Sequence, residues 1–160
     1  MARMFVNSDF SDLLRIFSDN NVKYLVIGGY AVVQYAEPRF TKDLDVWIST
    51  DPENVESVYK SLREFGAPLT DLTPKDFSED GYFFQMGVPP VRVDVLMGIP
   101  GVQFEDCWNR QFEADFDGLK VNFISKEDLI IAKRASGRPQ DLIDVDLLLL
   151  VIKKNDLSGQ

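Results

Sequence analysis

An apolar run that stops on two glycines, with helical periodicity resuming at once, narrows the folds open to this chain more than any other feature. Lys23-Tyr-Leu-Val-Ile27 reads as a short strand, Gly28-Gly29 ends it, and Tyr30-Ala-Val-Val-Gln-Tyr-Ala36 places apolar residues at helical period up to Pro38. The unit is strand, glycine turn, helix. Any fold for the chain must set a strand and a helix on either side of that turn.

Other segments read in the same way. Phe10, Leu13, Leu14 and Phe17 stand at helical spacing over residues 9–20, and Asn20-Asn21 ends the pattern. Asp43-Leu-Asp-Val-Trp-Ile48 alternates polar and apolar as a half-buried strand does. Thr50-Asp51-Pro52 then opens a helix that runs to about Phe65, with Gly66 as its stop. Residues 67–80, with Pro68 and Pro74, read as a loop or insertion. Tyr82–Met86 and Val91–Met97 form a predicted hairpin through Gly87-Val-Pro-Pro90, and Gln111–Asp115 and Leu119–Ile124 form another around Phe116-Asp117-Gly118. Ser125-Lys-Glu-Asp128 resembles a capping box with Asp in place of Glu. It opens a helix to Ser136, Gly137 ends it, and Pro139 starts a last helix to about Lys153. The expected organisation is one domain over residues 1–154, with a core at 22–124, C-terminal helices at 125–153 and a frayed tail at 155–160.

Composition removes most catalytic kits. The chain of 160 residues has 17 basic and 26 acidic side chains, one cysteine and no histidine. Without histidine there is no Ser-His-Asp or Cys-His nucleophile pair, and Cys107 alone makes neither a disulfide nor a cysteine-rich zinc site. The abundant carboxylates are hard oxygen ligands suited to magnesium or manganese. The longest apolar run, Leu147–Ile152, is too short to span a bilayer, and the first residues lack the apolar stretch of a signal peptide, so no membrane association and a cytoplasmic location are expected. A net charge of −9 argues modestly against nucleic acid as the acceptor or partner. Against that, Lys120, Lys126, Lys133, Arg134, Arg138, Lys153 and Lys154 gather positive charge toward the C-terminal helices.

Three features can carry chemistry. Asp43 and Asp45 lie two apart on a predicted strand, so both carboxylates project from one face while Leu44 and Val46 enter the core. Their Cα atoms would stand roughly 6.5–7 Å apart, a span that a pair of divalent ions about 3.5–4 Å apart can bridge. A solvated surface strand accounts for the same pair. Asp94 interrupts the apolar strand around Val93 and Val95; it either joins the first two carboxylates or faces solvent paired with Arg92. Gly28-Gly29 lets phosphate approach the backbone at a helix N-terminus, or simply makes a tight turn.

In order, Tyr24-Leu-Val-Ile-Gly-Gly-Tyr-Ala31, Pro38-Arg-Phe-Thr-Lys-Asp-Leu-Asp-Val-Trp47 and Arg92-Val-Asp-Val-Leu96 resemble the polymerase-beta-like nucleotidyltransferase superfamily. More narrowly, they are similar to minimal bacterial members related to AbiE-type toxins and to aminoglycoside nucleotidyltransferases. Glu127–Lys133 and Gly137–Asp144 are similar to the helical segment that closes many of these proteins. The resemblance implies an α/β (α+β) fold with a mixed central β-sheet flanked by helices, a nucleotidyltransferase fold with a C-terminal helical hairpin.

It also implies transfer of a nucleoside monophosphate from a nucleoside triphosphate, such as ATP, to a hydroxyl of an acceptor. Asp43, Asp45 and Asp94 match the carboxylates that hold two Mg2+ ions, with Mn2+ as the substitute, and Asp94 matches the one that helps deprotonate the acceptor. Gly28 and Gly29 match the phosphate-cradling turn, where many relatives carry Gly-Ser. Arg39 and Lys42 are candidate triphosphate contacts or, equally, charge balance beside an acidic strand; Lys133 is a candidate phosphate or base-pocket contact, with a C-terminal helix charge favoured by the helix dipole as the preferred reading. Arg138 is a further candidate, although Asp141 stands three residues away on the same helix face and an Arg138–Asp141 ion pair is the favoured reading. Trp47, Trp108 and Tyr82-Phe83-Phe84 are read chiefly as core, with base stacking as the alternative. A protein or small molecule is the favoured acceptor, and the chain is expected to be a monomer or homodimer. The competing function is a regulatory or non-catalytic component of a toxin–antitoxin pair with a helical toxin or antitoxin partner.

Overall fold

A computed structural model describes residues 8–36, 41, 43–88, 91–116 and 118–157. Six strands form one mixed sheet. They are β1 (Tyr24–Ile27), β2 (Leu44–Ile48), β3 (Phe83–Met86), β4 (Val93–Leu96), β5 (Phe112–Phe116) and β6 (Leu119–Phe123), in the spatial order β3-β4-β2-β1-β6-β5. The two expected hairpins, β3/β4 and β5/β6, are antiparallel, as is β1/β2, whereas β2/β4 and β1/β6 run parallel. The helices are α1 (Ser8–Asp19), α2 (Gly28–Tyr35), α3 (Pro52–Phe65), α4 (Phe104–Asn109), α5 (Lys126–Ser136) and α6 (Pro139–Leu157). The mixed α/β class with flanking helices is therefore the observed one.

Local signals explain most boundaries. Gly66 closes α3 in the left-handed conformation, where a Cβ is disfavoured, and its N–H reaches the carbonyls of Leu62 and Arg63. Ser125 Oγ accepts a hydrogen bond from Asp128 N at 3.1 Å, but the Asp128 carboxylate does not turn back to complete the box. It pairs with Arg110 instead, through Nε and Nη2 at 3.0 Å each.

The core follows strand alternation. Leu44, Val46 and Ile48 of β2 are fully buried, as is Val95 of β4, and Phe10, Leu13, Leu14 and Phe17 of α1 present one buried stripe. Burial of each such side chain contributes roughly 1.5–3 kcal/mol. Trp47 belongs to this core against Phe104, and Trp108 stacks on Phe104, whereas Tyr82 and Phe83 are exposed and depart from the core reading.

Three further differences have physical causes. Residues 67–80 contain a 3-10 turn, Pro74–Phe77, because Thr73 and Asp76 form a reciprocal capping box and Phe77 is buried against Tyr59 and Phe84. Helix α4 lies where the sequence carries no reading, its six residues being too few to show a period. Helix α6 continues to Leu157 rather than ending near Lys153; 158–160 lie outside the described residues. Among the described residues no helix is long and apolar enough to cross a membrane.

Candidate functional site

The glycine turn is built around a carboxylate. β1 ends at Ile27, which stands opposite Asp45 in the β1/β2 register, and Gly28 starts α2 directly. Gly28 has φ +68°, and a Cβ there would run into Asp45 Oδ2 and stand 3.0 Å from Asp45 Cγ. Glycine is required twice, for the left-handed backbone and for the space the carboxylate fills. Extended Ile27, at the N-cap of α2, supplies no side-chain cap to the N-terminal amides that begin at Gly28 and Gly29.

Asp45 and Asp94 are partners in the parallel β2/β4 register and so project from the same face of adjacent strands. Asp43 stands just before β2. Arg92, two residues before Asp94, donates from Nε to Asp94 Oδ1 and from Nη2 to Asp94 Oδ2, both at 3.1 Å, while its Nε lies 3.6 Å from Asp43 Oδ2. Asp94 thus joins the carboxylate group and is also paired with Arg92; the two sequence alternatives coexist. Burial, then the neighbouring charges of Asp94 and Asp43, push the Asp45 carboxyl up to about 7, partly offset by Lys133 and Arg92. Asp43 Oδ1 is buried and has no hydrogen-bond partner among the described residues.

Asp45 and Asp94 open onto a cleft of about 350 Å3 between the sheet end and α5, lined by Gly28 and these two carboxylates on one side and by Leu129 and Lys133 on the other. Leu96 and Ile99 give it an apolar wall that no sequence motif marked. Lys133 is in place, but its ammonium is engaged by Asp141 Oδ1 at 3.3 Å and Asp144 Oδ2 at 2.9 Å. Arg138 Nε holds Asp141 Oδ2 at 2.8 Å, as the favoured reading has it. Arg39 and Lys42 lie outside the described residues.

The donor set suits a hard divalent ion in two respects: all the candidate ligands are carboxylates, and one buried oxygen has no partner among the described residues. Among the described residues, however, no three such groups are gathered tightly enough to chelate. The Arg92 guanidinium stands between two of them.

The fold is similar to nucleotidyltransferase folds. The chain belongs to the family described as nucleotidyltransferase of unknown function (DUF6036), which matches residues 6–158. Solved structures share its fold. The lincosamide antibiotic adenylyltransferase LnuA, lincomycin-bound, is 16% identical with a TM-score of 0.59, over 91% of this chain and 98% of that one. ANT(2")-Ia in complex with adenylyl-2"-tobramycin is 14% identical with a TM-score of 0.61, over 95% and 92%. An antigenic nucleotidyltransferase-like protein from Paracoccidioides brasiliensis is 17% identical with a TM-score of 0.54, over 89% and 73%. No curated protein matches the chain by sequence.

Proposed function

We propose that this chain transfers a nucleoside monophosphate, with adenylate the first candidate, from a nucleoside triphosphate to a hydroxyl of a small-molecule acceptor. One observation carries the reading: Asp45 and Asp94, in register on adjacent strands, share one cleft with the glycine that opens α2. The family supports it, and so do two fold neighbours described as an adenylyltransferase with lincomycin and as a complex with adenylyl-2"-tobramycin.

In this reading Asp43, Asp45 and Asp94 hold two magnesium ions, with manganese as substitute, and the open amides of α2 at Gly28 and Gly29 receive phosphate oxygens. When bound, the ions neutralise charge on the α-phosphoryl group and on the departing pyrophosphate. An Asp94 carboxylate oxygen takes the proton of the acceptor hydroxyl. Arg39 and Lys42, which precede the first carboxylates, meet the triphosphate. Lys133 adds positive potential toward Asp45 from across the cleft while staying bound to Asp141 and Asp144.

The test is label transfer from α-labelled ATP, GTP, CTP and UTP, with magnesium, to a panel of small hydroxyl compounds, with pyrophosphate release followed in parallel. Transfer that disappears in Asp94→Asn supports the proposal. Calorimetry showing that none of the four triphosphates binds with magnesium would overturn it.

A further inference from the structure

We infer that Arg92 is a built-in counter-cation: it ties Asp43 and Asp94 together when no divalent ion is present, and a divalent ion must displace it to bind. The inference rests on the reading of Asp43, Asp45 and Asp94 as the metal-holding set. A single guanidinium covers two of the three carboxylates, bidentate on Asp94 at 3.1 Å and flanking Asp43 at 3.6 Å. In that pose both Asp94 oxygens spend acceptor capacity on N–H donors, while Asp43 Oδ2 is neutralised by the nearby guanidinium charge without accepting a hydrogen bond from it. A divalent ion reaching the same oxygens would meet the fixed positive charge of the guanidinium at contact distance, and two cations there repel strongly.

The arrangement is suited to exchange. The Arg92 backbone is anchored, because its carbonyl accepts from Leu44 N at 3.1 Å at the entrance to β2. Its side chain is 34% exposed, so the guanidinium can swing into solvent without disturbing the β2/β4 register. Asp43 Oδ1 remains uncovered by Arg92 and is buried without a partner among the described residues. It is an acceptor that the guanidinium does not satisfy. Arginine keeps its charge throughout the accessible pH range, so protonation does not relieve the competition; only movement of the side chain does.

Manganese titration of the nucleotide-free protein, with free ion followed by electron paramagnetic resonance, tests this on the wild type, Arg92→Gln and Arg92→Lys. Removal of the competing charge is expected to tighten the first manganese site about tenfold in Arg92→Gln, the scale of one lost charge-assisted hydrogen-bonded pair. Arg92→Lys, which keeps the charge, should stay near the wild type. Equal or weaker binding by folded Arg92→Gln overturns the inference. If neither protein binds manganese, the carboxylate reading itself has failed and the inference falls with it.

A second measurement needs no loss-of-charge variant to fold. The Arg92 Nε–H resonance of the wild type, assigned by its absence in Arg92→Lys, should shift with added magnesium at the midpoint of metal binding. A resonance unmoved at saturating magnesium would overturn the displacement while leaving the metal site standing.

Discussion

Two groups of carboxylates, one at the sheet end and one among the C-terminal helices, are neutralised very differently, and the cleft lined by Asp45, Asp94 and Asp141 lies between them. On the helical side, Asp128 is held by Arg110, Asp141 by Arg138 and Lys133, and Asp144 by Lys133. On the sheet side, Asp43 and Asp94 share one arginine, and Asp45 sits against the glycine turn with its nearest cations further off. The electrostatic outcomes are opposite. Burial raises Asp128 and Asp141, yet hydrogen bonds from Arg110 and Ser125, and from Arg138 and Ser136, outweigh it and hold both below the usual carboxylate range. Burial and like charge leave Asp45 at about 7. Carboxylates kept for stability are paired by the fold, whereas a carboxylate kept at a cost in stability points to a ligand that supplies the missing charge.

The largest expected effect separates activity from stability at the sheet end. Asp45→Asn should lower nucleotidyl transfer on the order of a thousandfold, the scale of removing a group that acts in the reacting centre. The same variant should melt higher than the wild type above pH 7, because it removes a buried like charge, with each kcal/mol gained worth about 2–4 °C for a chain of this size. Full activity with lowered stability would make Asp45 a structural residue and erase the contrast.

The converse holds among the helices. Asp144→Ala leaves Lys133, itself 7% exposed, without one of its two partners, and Asp144 is fully buried. Breaking one side of a buried pair costs about 3–5 kcal/mol, readable by urea unfolding. Lys133→Met should cost a comparable amount, since it takes the lysine from fully buried Asp144 even though Asp141 keeps Arg138. If Lys133→Met instead abolished nucleotide binding with stability intact, the ammonium would belong to the site rather than to the helix pair.

The pH dependence of stability should run in opposite directions in the two regions. Between the ordinary carboxylate pKa and about 7, folded Asp45 keeps a proton that the unfolded chain has released, so its contribution falls as pH rises and is lost by about pH 7. Asp128 and Asp141 contribute stability that is present above the ordinary carboxylate pKa and is lost as pH falls through their lowered folded values. Against the wild type, Asp45→Asn should therefore gain relative stability as pH is raised from 4 to 7, by on the order of a kcal/mol per pH unit at most. Asp128→Asn should lose its deficit as pH is lowered. Parallel curves for the two variants would show that the two carboxylate groups share one environment.

What the chain's sequence made legible were features set by neighbours a few residues apart. The Gly28 turn, the alternation that buries Leu44 and Val46 under Asp45, the Ser125 cap and the Arg138–Asp141 pair all depend on spacings of one to four residues. The juxtaposition of Asp45 and Asp94 depends on β2 and β4 running parallel across α3 and a hairpin; periodicity cannot report a pairing 49 residues apart, and only the family resemblance anticipated it. The Lys133–Asp144 bond crosses the Gly137 turn between two helices, and a lysine at the end of an amphipathic helix reads as solvent-facing until the second helix is placed over it. Asp128 shows how a local signal gives way: its position fits a capping box, yet a distant Arg110 offers a charge-assisted fork that the backbone N–H of Ser125 cannot match.

The smallest effect uses the lone cysteine as a reporter of the paired side. Cys107 is buried in α4 beside Asp128, and burial first, then the Asp128 charge, push its thiol up to about 12. At mildly alkaline pH the folded protein should then react with iodoacetamide only through opening of the α4–α5 contact, since the thiolate is the nucleophile. Labelling followed by mass spectrometry should speed up in Asp128→Asn, which releases Arg110 and loosens that contact, and stay at the wild-type rate or below it in Asp45→Asn. Each labelling rate reads one of the two carboxylate groups without needing substrate, so equal acceleration by both variants would mean that the sheet-end and helical carboxylates open as one unit, and the division between charge kept for stability and charge kept for a ligand would have to be redrawn.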